Sequence, residues 1–248
     1  MEKVKIHYLY NSGFTLETTE AFMVFDYFMD SVESDKKCIS NGALSIEDFP
    51  DNKNIIVFSS HSHEDHYNPV IFSWQSKLPH INYVLSSDIK IKDSGSKIFS
   101  MGPYEKLQLG NITVKSFGST DIGVSYFVQT EDISIFHAGD LNWWYWWDDT
   151  EEELRKAESW FKEEIDKING EKVDIAFFPV DPRLQQNYCK GAQYFIEKIK
   201  PNILFPMHFG SNYEITGEFK REVKNSTTEI IEIQKRGQQF NLFFSKEV

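Results

Sequence analysis

Cysteine is scarce in this sequence. Only two of its 248 residues are cysteines, Cys38 and Cys189, which is too few for a framework of disulfide bonds. Neither stands in the short spacings by which cysteine pairs bind zinc. We therefore expect a protein of a reducing compartment, and the cytoplasm is the simplest assignment.

The sequence also lacks long apolar runs and an excess of basic residues. No run approaches the length of a membrane span or of the apolar core of a signal peptide. Lysine and arginine number 26 against 38 aspartates and glutamates, which gives a formal charge of −12. Without a basic stripe to follow a phosphate backbone, neither a nucleic acid nor a membrane is expected as a partner.

Aromatic residues, by contrast, are abundant. Phenylalanine alone occurs 21 times, and aromatic residues make up 15% of the chain, hydrophobic residues 40% and charged residues 26%. This is the composition of a folded globular protein and not of a disordered one. At this length a single domain covering residues 1–248 is predicted.

The order of the predicted elements favours an α/β fold. Short strands are predicted at 4–8, 14–16, 21–25, 54–58, 83–85, 106–109, 112–116, 124–129 and 133–136. From Thr150 the apolar spacing becomes helical, and Thr150 with Glu153 has the form of a capping box. Strands at 173–178 and 202–205 then alternate with helices at 191–199 and 227–235. Two sheets flanked by helices are the expected result.

Three histidines and two carboxylates follow the apolar strand predicted at 54–58, in the segment His61-Ser62-His63-Glu64-Asp65-His66. Because side chains alternate along an extended chain, the first two histidines project to the same side and can share one cation. Asn68 and Pro69 then indicate a helix start, so the segment lies in a loop between strand and helix. The alternative is a polar turn with surface histidines, which does not explain why three of seven histidines fall within six residues. The sequence therefore predicts a metal site.

Two distant segments repeat the arrangement of an apolar strand followed by a potential ligand. His137 and Asp140 follow the strand at 133–136, and His208 follows the strand at 202–205. One such residue is more often an ordinary turn residue than a ligand, but three segments in one chain are stronger evidence. Imidazole and carboxylate together suit zinc, with manganese or iron as alternatives.

These residues give the chain a resemblance to the metallo-β-lactamase superfamily. Its HxHxDH motif is matched by His61, His63, Asp65 and His66. Along most of the chain, the sequence resembles the branch that includes L-ascorbate-6-phosphate lactonase-like hydrolases, through segments 11–14, 137–140 and 205–208. The resemblance implies a four-layer αββα sandwich with the site at one edge of two sheets.

The resemblance also implies roles for the distant residues. Asp140 would bridge two metal ions, His208 would be the last ligand, and His137 would support the site without binding the ion. The family usually supplies a further histidine to the first ion from the stretch that reads here as residues 116–123, which contains none. Asp121 is a candidate to replace it, or else caps a turn and leaves the first ion weakly held. The sequence therefore leaves open whether the site binds one metal ion or two.

Several residues near the expected ligands are candidates for substrate contacts. Asn142, Trp143 and Trp144 follow Asp140 directly and would form a pocket wall, although at least two of the four tryptophans in this run are expected to be ordinary core. Arg183 could bind a carboxylate or phosphate, or pair with an acidic neighbour. Tyr188 is a weaker candidate of the same kind.

The predicted function is that of a metal-dependent hydrolase. By the resemblance, a metal-activated hydroxide would attack a small ester, lactone or related substrate, anionic substrates included, and Asp65 would be the catalytic residue that orients the hydroxide and takes its proton. One alternative is a phosphodiesterase or nuclease of the same superfamily. Another is a non-catalytic protein that binds a metal or ligand and lost the further histidine. A small molecule is the expected partner, and a homo-oligomer stays open.

Overall fold

The computed structural model describes residues 2–33, 36–91, 97–130, 133–223 and 226–244. The chain divides into two compact units. Unit 1 comprises residues 1–101 and 234–248, and unit 2 comprises residues 102–233. Within the described residues each unit contains one seven-stranded mixed sheet, so the α/β class is confirmed. The single domain expected for residues 1–248 stays a prediction.

The sheet of unit 1 is antiparallel at one side and parallel at the other. Its strands are β1 (Glu2–Tyr10), β2 (Gly13–Glu17), β3 (Ala21–Phe25), β4 (Asn54–Ser59), β5 (Asn82–Ser86), β6 (Ile98–Met101) and β14 (Gln239–Phe244), in the order β14-β1-β2-β3-β4-β5-β6. Pairs from β14 to β3 are antiparallel, and pairs from β3 to β6 are parallel. The strands β3 to β6 therefore end at the same edge of the sheet.

The segment that follows the loop after β4 packs into the apolar core of unit 1. A 3₁₀ helix at Pro69–Ser76 places Ile71 and Trp74 in the apolar cluster of this unit. The Trp74 ring lies 5.1 Å from that of Tyr27. The Asn68 side chain accepts a hydrogen bond from the backbone of Val70, so the predicted cap is confirmed, although the helix that follows is of the tighter 3₁₀ type.

Unit 2 combines a second mixed sheet with three α-helices. Its strands are β7 (Lys106–Leu109), β8 (Ile112–Phe117), β9 (Ser125–Thr130), β10 (Ile133–His137), β11 (Ile175–Pro179), β12 (Ile203–Met207) and β13 (Glu229–Ile230), in the order β13-β12-β11-β10-β9-β8-β7. Pairs from β7 to β10 are antiparallel, and pairs from β10 to β13 are parallel. The helices are α1 (Glu151–Ile168), α2 (Lys190–Ile199) and α3 (Glu214–Glu222).

Local signals and aromatic packing place the helices of unit 2. Helix α1 begins with the predicted capping box of Thr150 and Glu153. It buries Phe161 against Phe178 of β11, while Phe195 of α2 stacks 4.5 Å from the Phe178 ring. Each fully buried phenylalanine contributes about 2 to 3 kcal/mol of hydrophobic free energy. None of the helices in the described segments combines the length and the apolarity needed to cross a bilayer.

One predicted helix is wrong. The segment 227–235 is not helical: Glu229 and Ile230 form β13 on the edge of the sheet, paired with Ile203 and Leu204 of β12. The last helix, α3, lies earlier, at Glu214–Glu222. Isoleucine is β-branched and favours an extended backbone. Pairing with a buried strand stabilises this segment more than the helix that its weak apolar spacing indicated.

Candidate metal centre

Polar residues of unit 1 collect at the carboxyl ends of its parallel strands. Asp26 follows β3, the segment His61–His66 follows β4 and Asp88 follows β5. Because these strands are parallel neighbours, their carboxyl ends lie side by side at one edge of the sheet. The fold thus gathers side chains that are far apart in the sequence.

Asp26 orients two of the histidines, His66 directly and His61 through Ser60. Its Oδ2 lies 2.7 Å from Nδ1 of His66, and because a carboxylate only accepts, the histidine donates. The hydroxyl of Ser60 donates to the same Oδ2 at 2.7 Å, so Nδ1 of His61, 2.9 Å from that hydroxyl, must be the donor there. Both imidazoles therefore carry their proton on Nδ1.

This arrangement fits a divalent cation. With Nδ1 protonated, His61 and His66 each offer the lone pair of Nε2, which is the form of imidazole that binds metals. The rings of His61 and His66 lie 4.1 Å apart, and those of His61 and His63 lie 4.6 Å apart. Oδ2 of Asp65 lies 3.6 Å from Nε2 of His66. Imidazole nitrogens and carboxylate oxygens are donors that Zn²⁺, Mn²⁺ and Fe²⁺ accept.

Two further residues fix the loop that carries these candidate ligands. Oδ2 of Asp88 accepts a hydrogen bond from the backbone of Ser62 at 2.8 Å. The amide of Asn11 donates to Oδ2 of Asp65 at 3.2 Å. Asn11 adopts a left-handed backbone with a φ of 52°, which asparagine tolerates better than most residues, and this turn between β1 and β2 delivers the amide.

Unit 2 repeats this pattern at the carboxyl ends of β10, β11 and β12. The residues there are Asp140, Asp181 and His208. Nε2 of His208 lies 3.3 Å from Oδ1 of Asp140, and its Nδ1 lies 3.1 Å from Oδ2 of Asp181. If Nδ1 donates to Asp181, an Nε2 lone pair faces a carboxylate oxygen, and a cation between them stabilises this pair of acceptors. Asp140 and His208 therefore fit a metal ion.

Asp181 is ionised and deeply buried. Its burial raises the pKa of the carboxyl group, but hydrogen bonds from His208 and Arg183 outweigh burial, and the pKa lies below its usual value. Arg183 donates from Nε and Nη2 to the carboxylate at 2.6 to 3.0 Å. The pairing alternative for Arg183 is thus observed, and the predicted substrate contact stays a prediction.

His137 and Asp121 each accept a hydrogen bond from the backbone of a residue nearby in the chain. His137 is fully buried, and its Nδ1 accepts a hydrogen bond from the backbone of Gly139 at 3.2 Å, in the turn before Asp140. The Asp121 side chain is exposed and accepts from the backbone of Ile122 at 2.8 Å. Among the described residues Asp121 belongs to no group of side chains that could hold an ion. Asp121 therefore has the geometry of a turn cap, which is the alternative to a metal ligand that the sequence left open for this residue.

Adjacent tryptophans after Asp140 take different places. Nε1 of Trp144 donates to the backbone oxygen of Asp140 at 3.1 Å, and its ring stands edge-on to His208 at 5.8 Å. Trp146 stacks on Trp144 at 5.7 Å. Trp143 is 6% exposed and lies in the core of unit 2, near the Phe161 ring. Trp144 therefore adjoins a candidate ligand and Trp146 packs on Trp144. Of the four tryptophans in this run Trp143 alone is buried, so the expectation of at least two core tryptophans is wrong.

The other two candidates for substrate contacts are buried in unit 2. Asn142 is 1% exposed, and a Cβ on Gly191 would lie 2.1 Å from its Oδ1. Tyr188 is 7% exposed, and burial together with a hydrogen bond to Glu222 raises the pKa of its hydroxyl. Their predicted contacts with a substrate stay predictions.

Asp26, Ser60 and Asp181 were not predicted from the sequence. Each stands directly after an apolar strand or within two residues of its end, as His61 and His208 do. That position is the one available signal, because their partners are brought to them by strand pairing. No residue type or spacing in the sequence distinguishes them from turn residues.

Comparison with solved structures identifies the fold. Igni18, a metallo hydrolase from the archaeon Ignicoccus hospitalis, matches with 15% identity and a TM-score of 0.67, covering 98% of this chain and all of its own. YhfI from Bacillus subtilis, a metallo-β-lactamase fold protein, has 13% identity and a TM-score of 0.59, over 97% of this chain and 100% of its own. CmlA from Streptomyces venezuelae, a diiron β-hydroxylase, has 12% identity and a TM-score of 0.58, over 98% of this chain and 54% of its own.

Sequence comparison adds no family. No protein-family model matches the chain, and no curated protein matches its sequence significantly. At the identities above, structural likeness establishes the fold alone. The resemblance to the lactonase-like branch stays a prediction. The chain has the metallo-β-lactamase fold.

Proposed function

We propose that this protein is a metal-dependent hydrolase acting on a small ester, lactone or related substrate. The observation that carries the proposal is the hydrogen bonding of His66 to Asp26 directly and of His61 to Asp26 through Ser60, which puts the lone pair of each ring on Nε2. In His66 this nitrogen lies 3.6 Å from Oδ2 of Asp65. Buried imidazoles fixed in one tautomer by a carboxylate are typical of metal sites. Asp140 and His208 form a second donor pair in unit 2.

We propose Zn²⁺ as the bound ion, with Mn²⁺ or Fe²⁺ as ions that the same donors accept. When bound, a divalent ion polarises a carbonyl or phosphoryl oxygen and makes water acidic near neutral pH. His61, His63, Asp65 and His66 are the proposed ligands in unit 1. Asp140 and His208 are the proposed ligands in unit 2, and the proposal leaves the number of bound ions at one or two.

Asp65 is the proposed catalytic residue. Its side chain is 46% exposed, unlike the buried His66, so solvent and substrate can reach it. The side-chain amide of Asn11 donates a hydrogen bond to its Oδ2, and this bond also fixes the orientation of the other carboxylate oxygen. A carboxylate held in this way can orient a water molecule and accept its proton. Trp144 and Trp146 supply a flat apolar surface in unit 2 for the organic part of a substrate.

The comparisons support a hydrolase and leave its substrate to experiment. Igni18 is described as a metallo hydrolase, whereas CmlA is a diiron β-hydroxylase on the same fold. One scaffold thus carries different reactions. Neither cysteine forms a disulfide, and we propose the cytoplasm as the location.

The first experiment measures bound metal in matched histidine variants. Protein purified without added metal is analysed for its elements as wild type, H61A and H80A. His80 is an exposed histidine that the structure places in no candidate metal group of the described residues, so it is the control. We expect H61A to lose metal and H80A to keep the wild-type content. Equal metal content in all three would contradict the assignment of His61.

The second experiment tests the reaction. Ester, lactone and phosphodiester substrates are offered to the protein loaded with the metal found. We expect hydrolysis of an ester or lactone, abolished in H61A and D65N and unchanged in H80A. Turnover of the phosphodiester alone would favour the phosphodiesterase alternative. A loaded protein that turns over none of the substrates would favour the non-catalytic alternative.

A further inference from the structure

A carboxylate and a guanidinium lie behind His208 in unit 2. Oδ2 of Asp181 is 3.1 Å from Nδ1 of His208 on the side of the ring away from Asp140. The Arg183 side chain donates to both oxygens of Asp181, and its backbone N–H donates to Oδ1 at 2.9 Å. The guanidinium carbon also lies 5.7 Å from the centre of the Trp146 ring.

We infer that Asp181 is a positioning residue that fixes the tautomer and orientation of His208, and that Arg183 holds Asp181 in place for this role. The inference rests on the proposed function, in which His208 is a ligand. A carboxylate that accepts from one ring nitrogen keeps the other bare and fixes the plane of the ring. Asp181 is 1% exposed, so water cannot substitute for this hydrogen bond.

A competing tautomer can be weighed from the distances. Nη2 of Arg183 also lies 3.4 Å from Nδ1 of His208, so the ring nitrogen could in principle accept from the guanidinium. That tautomer would direct the Nδ1 lone pair at the Asp181 carboxylate 3.1 Å away, which is repulsive. Of the two contacts of Nδ1, the one with Asp181 is also the shorter, at 3.1 Å against 3.4 Å for Nη2. The geometry therefore favours a proton on Nδ1.

Asp181 also has a local structural role, which a test must separate from positioning. Its side chain caps the 3₁₀ helix Pro182–Asn187 by accepting from the backbone of Arg183. Asparagine is as good a cap as aspartate, so D181N retains this contact while it removes the charge. D181A removes both. The pair of variants distinguishes loss of the cap from loss of the carboxylate.

The other end of the same strand offers a matched control. Asp174 precedes β11 as Asp181 follows it, and it is 7% exposed. Its carboxylate accepts from the backbone and the hydroxyl of Ser134 and from the amide of Asn202. D174N therefore removes a buried, hydrogen-bonded charge of unit 2 that contacts no candidate ligand.

The experiment measures Zn²⁺ affinity by competition with a chromophoric chelator. We expect the dissociation constant to rise about 10- to 100-fold in D181A and D181N, which is the usual effect of removing a partner of a ligating histidine. D174N should retain the wild-type constant. Wild-type affinity in both Asp181 variants would overturn the inference, and so would an equal loss of affinity in D174N.

A second readout does not depend on metal. Nitrogen-15 NMR of the metal-free protein reports which ring nitrogen of His208 carries a proton, with H208Q identifying the signal. We expect Nδ1 to be protonated in the wild type and in D174N and to lose this preference in D181A. A bare Nδ1 in the wild type would overturn the inference. Protonated Nδ1 in a wild-type protein that binds no Zn²⁺ would support the Asp181 contact and contradict the proposed function alone.

Discussion

At the scale of single residues, the candidate site depends on which nitrogen each imidazole presents. Asp26 sets this for His66 directly and for His61 through Ser60. The candidate ligands at 61–66 could be proposed from the sequence because they are adjacent in it. Asp26 could not, because it lies 40 positions from His66 and meets it only after β3 and β4 pair.

The two cysteines should differ strongly in reactivity. Burial, together with a hydrogen bond to Glu222, raises the pKa of the Cys189 thiol to about 12, whereas Cys38 is partly exposed. Because the thiolate is the reactive form, a maleimide should modify Cys38 in the folded protein and Cys189 only after unfolding. Mass spectrometry of peptides from native and unfolded samples checks this, with C38S as the control. Rapid modification of Cys189 in the folded state would contradict it.

At the scale of elements, the sequence predicted what is local. The capping box of α1 and the cap at Asn68 involve neighbours in the chain, and both are confirmed. The helix expected at 227–235 is wrong because pairing with β12 is a long-range contact that no local spacing reveals. The distinct places of Trp143 and Trp144 likewise depend on helices α1 and α2, which come later in the chain.

The pairing of β1 with β14 should make stability depend on pH. His7 lies opposite Gln239 in this pair, and burial, only partly offset by their hydrogen bond, lowers the pKa of His7 below 6.5. The unfolded chain then takes up a proton near pH 6.5, before the folded protein does. This contribution to stability is present above pH 6.5 and is lost as the pH falls toward the folded pKa.

The test compares the thermal unfolding of wild type and H7Q between pH 7.5 and 5. Glutamine keeps a polar side chain but does not titrate, so the fall in Tm on acidification should be smaller in H7Q than in the wild type. H80A serves as the control and should follow the wild type. An identical pH dependence in H7Q and wild type would show that His7 contributes nothing.

At the scale of the whole molecule, the two sheets have the same succession of strand pairings. In each unit three antiparallel pairs are followed by three parallel pairs, and the polar residues described above stand after the parallel strands. The sequence showed the contiguous motif at 61–66 but not this correspondence, because strand order is set by pairing between distant segments. The fold could be predicted from the motif by resemblance, whereas Asp26 and Asp181 required the pairing itself.

If the donors hold an ion, its removal should destabilise the protein. A ligand that binds only the folded state, at a free concentration of about 100 times its dissociation constant, adds about 2.7 kcal/mol to the free energy of unfolding. Calorimetry with and without EDTA should therefore show a lower Tm for chelated wild type and H80A and little change for H61A. A wild-type Tm that does not respond to EDTA would contradict ion binding.

The backbone of His208 has a φ of 63°, a left-handed conformation that glycine adopts freely and histidine does not. H208G and H208A both lose the imidazole, so their difference isolates the main chain. We expect the free energy of unfolding of metal-free H208G, measured in urea, to exceed that of metal-free H208A by about 1 kcal/mol. Equal values would show that the main chain is relaxed there. At position 208 the side chain and the backbone therefore favour different residues. Histidine is suited to binding a metal ion, whereas glycine is suited to the left-handed backbone on which that side chain stands.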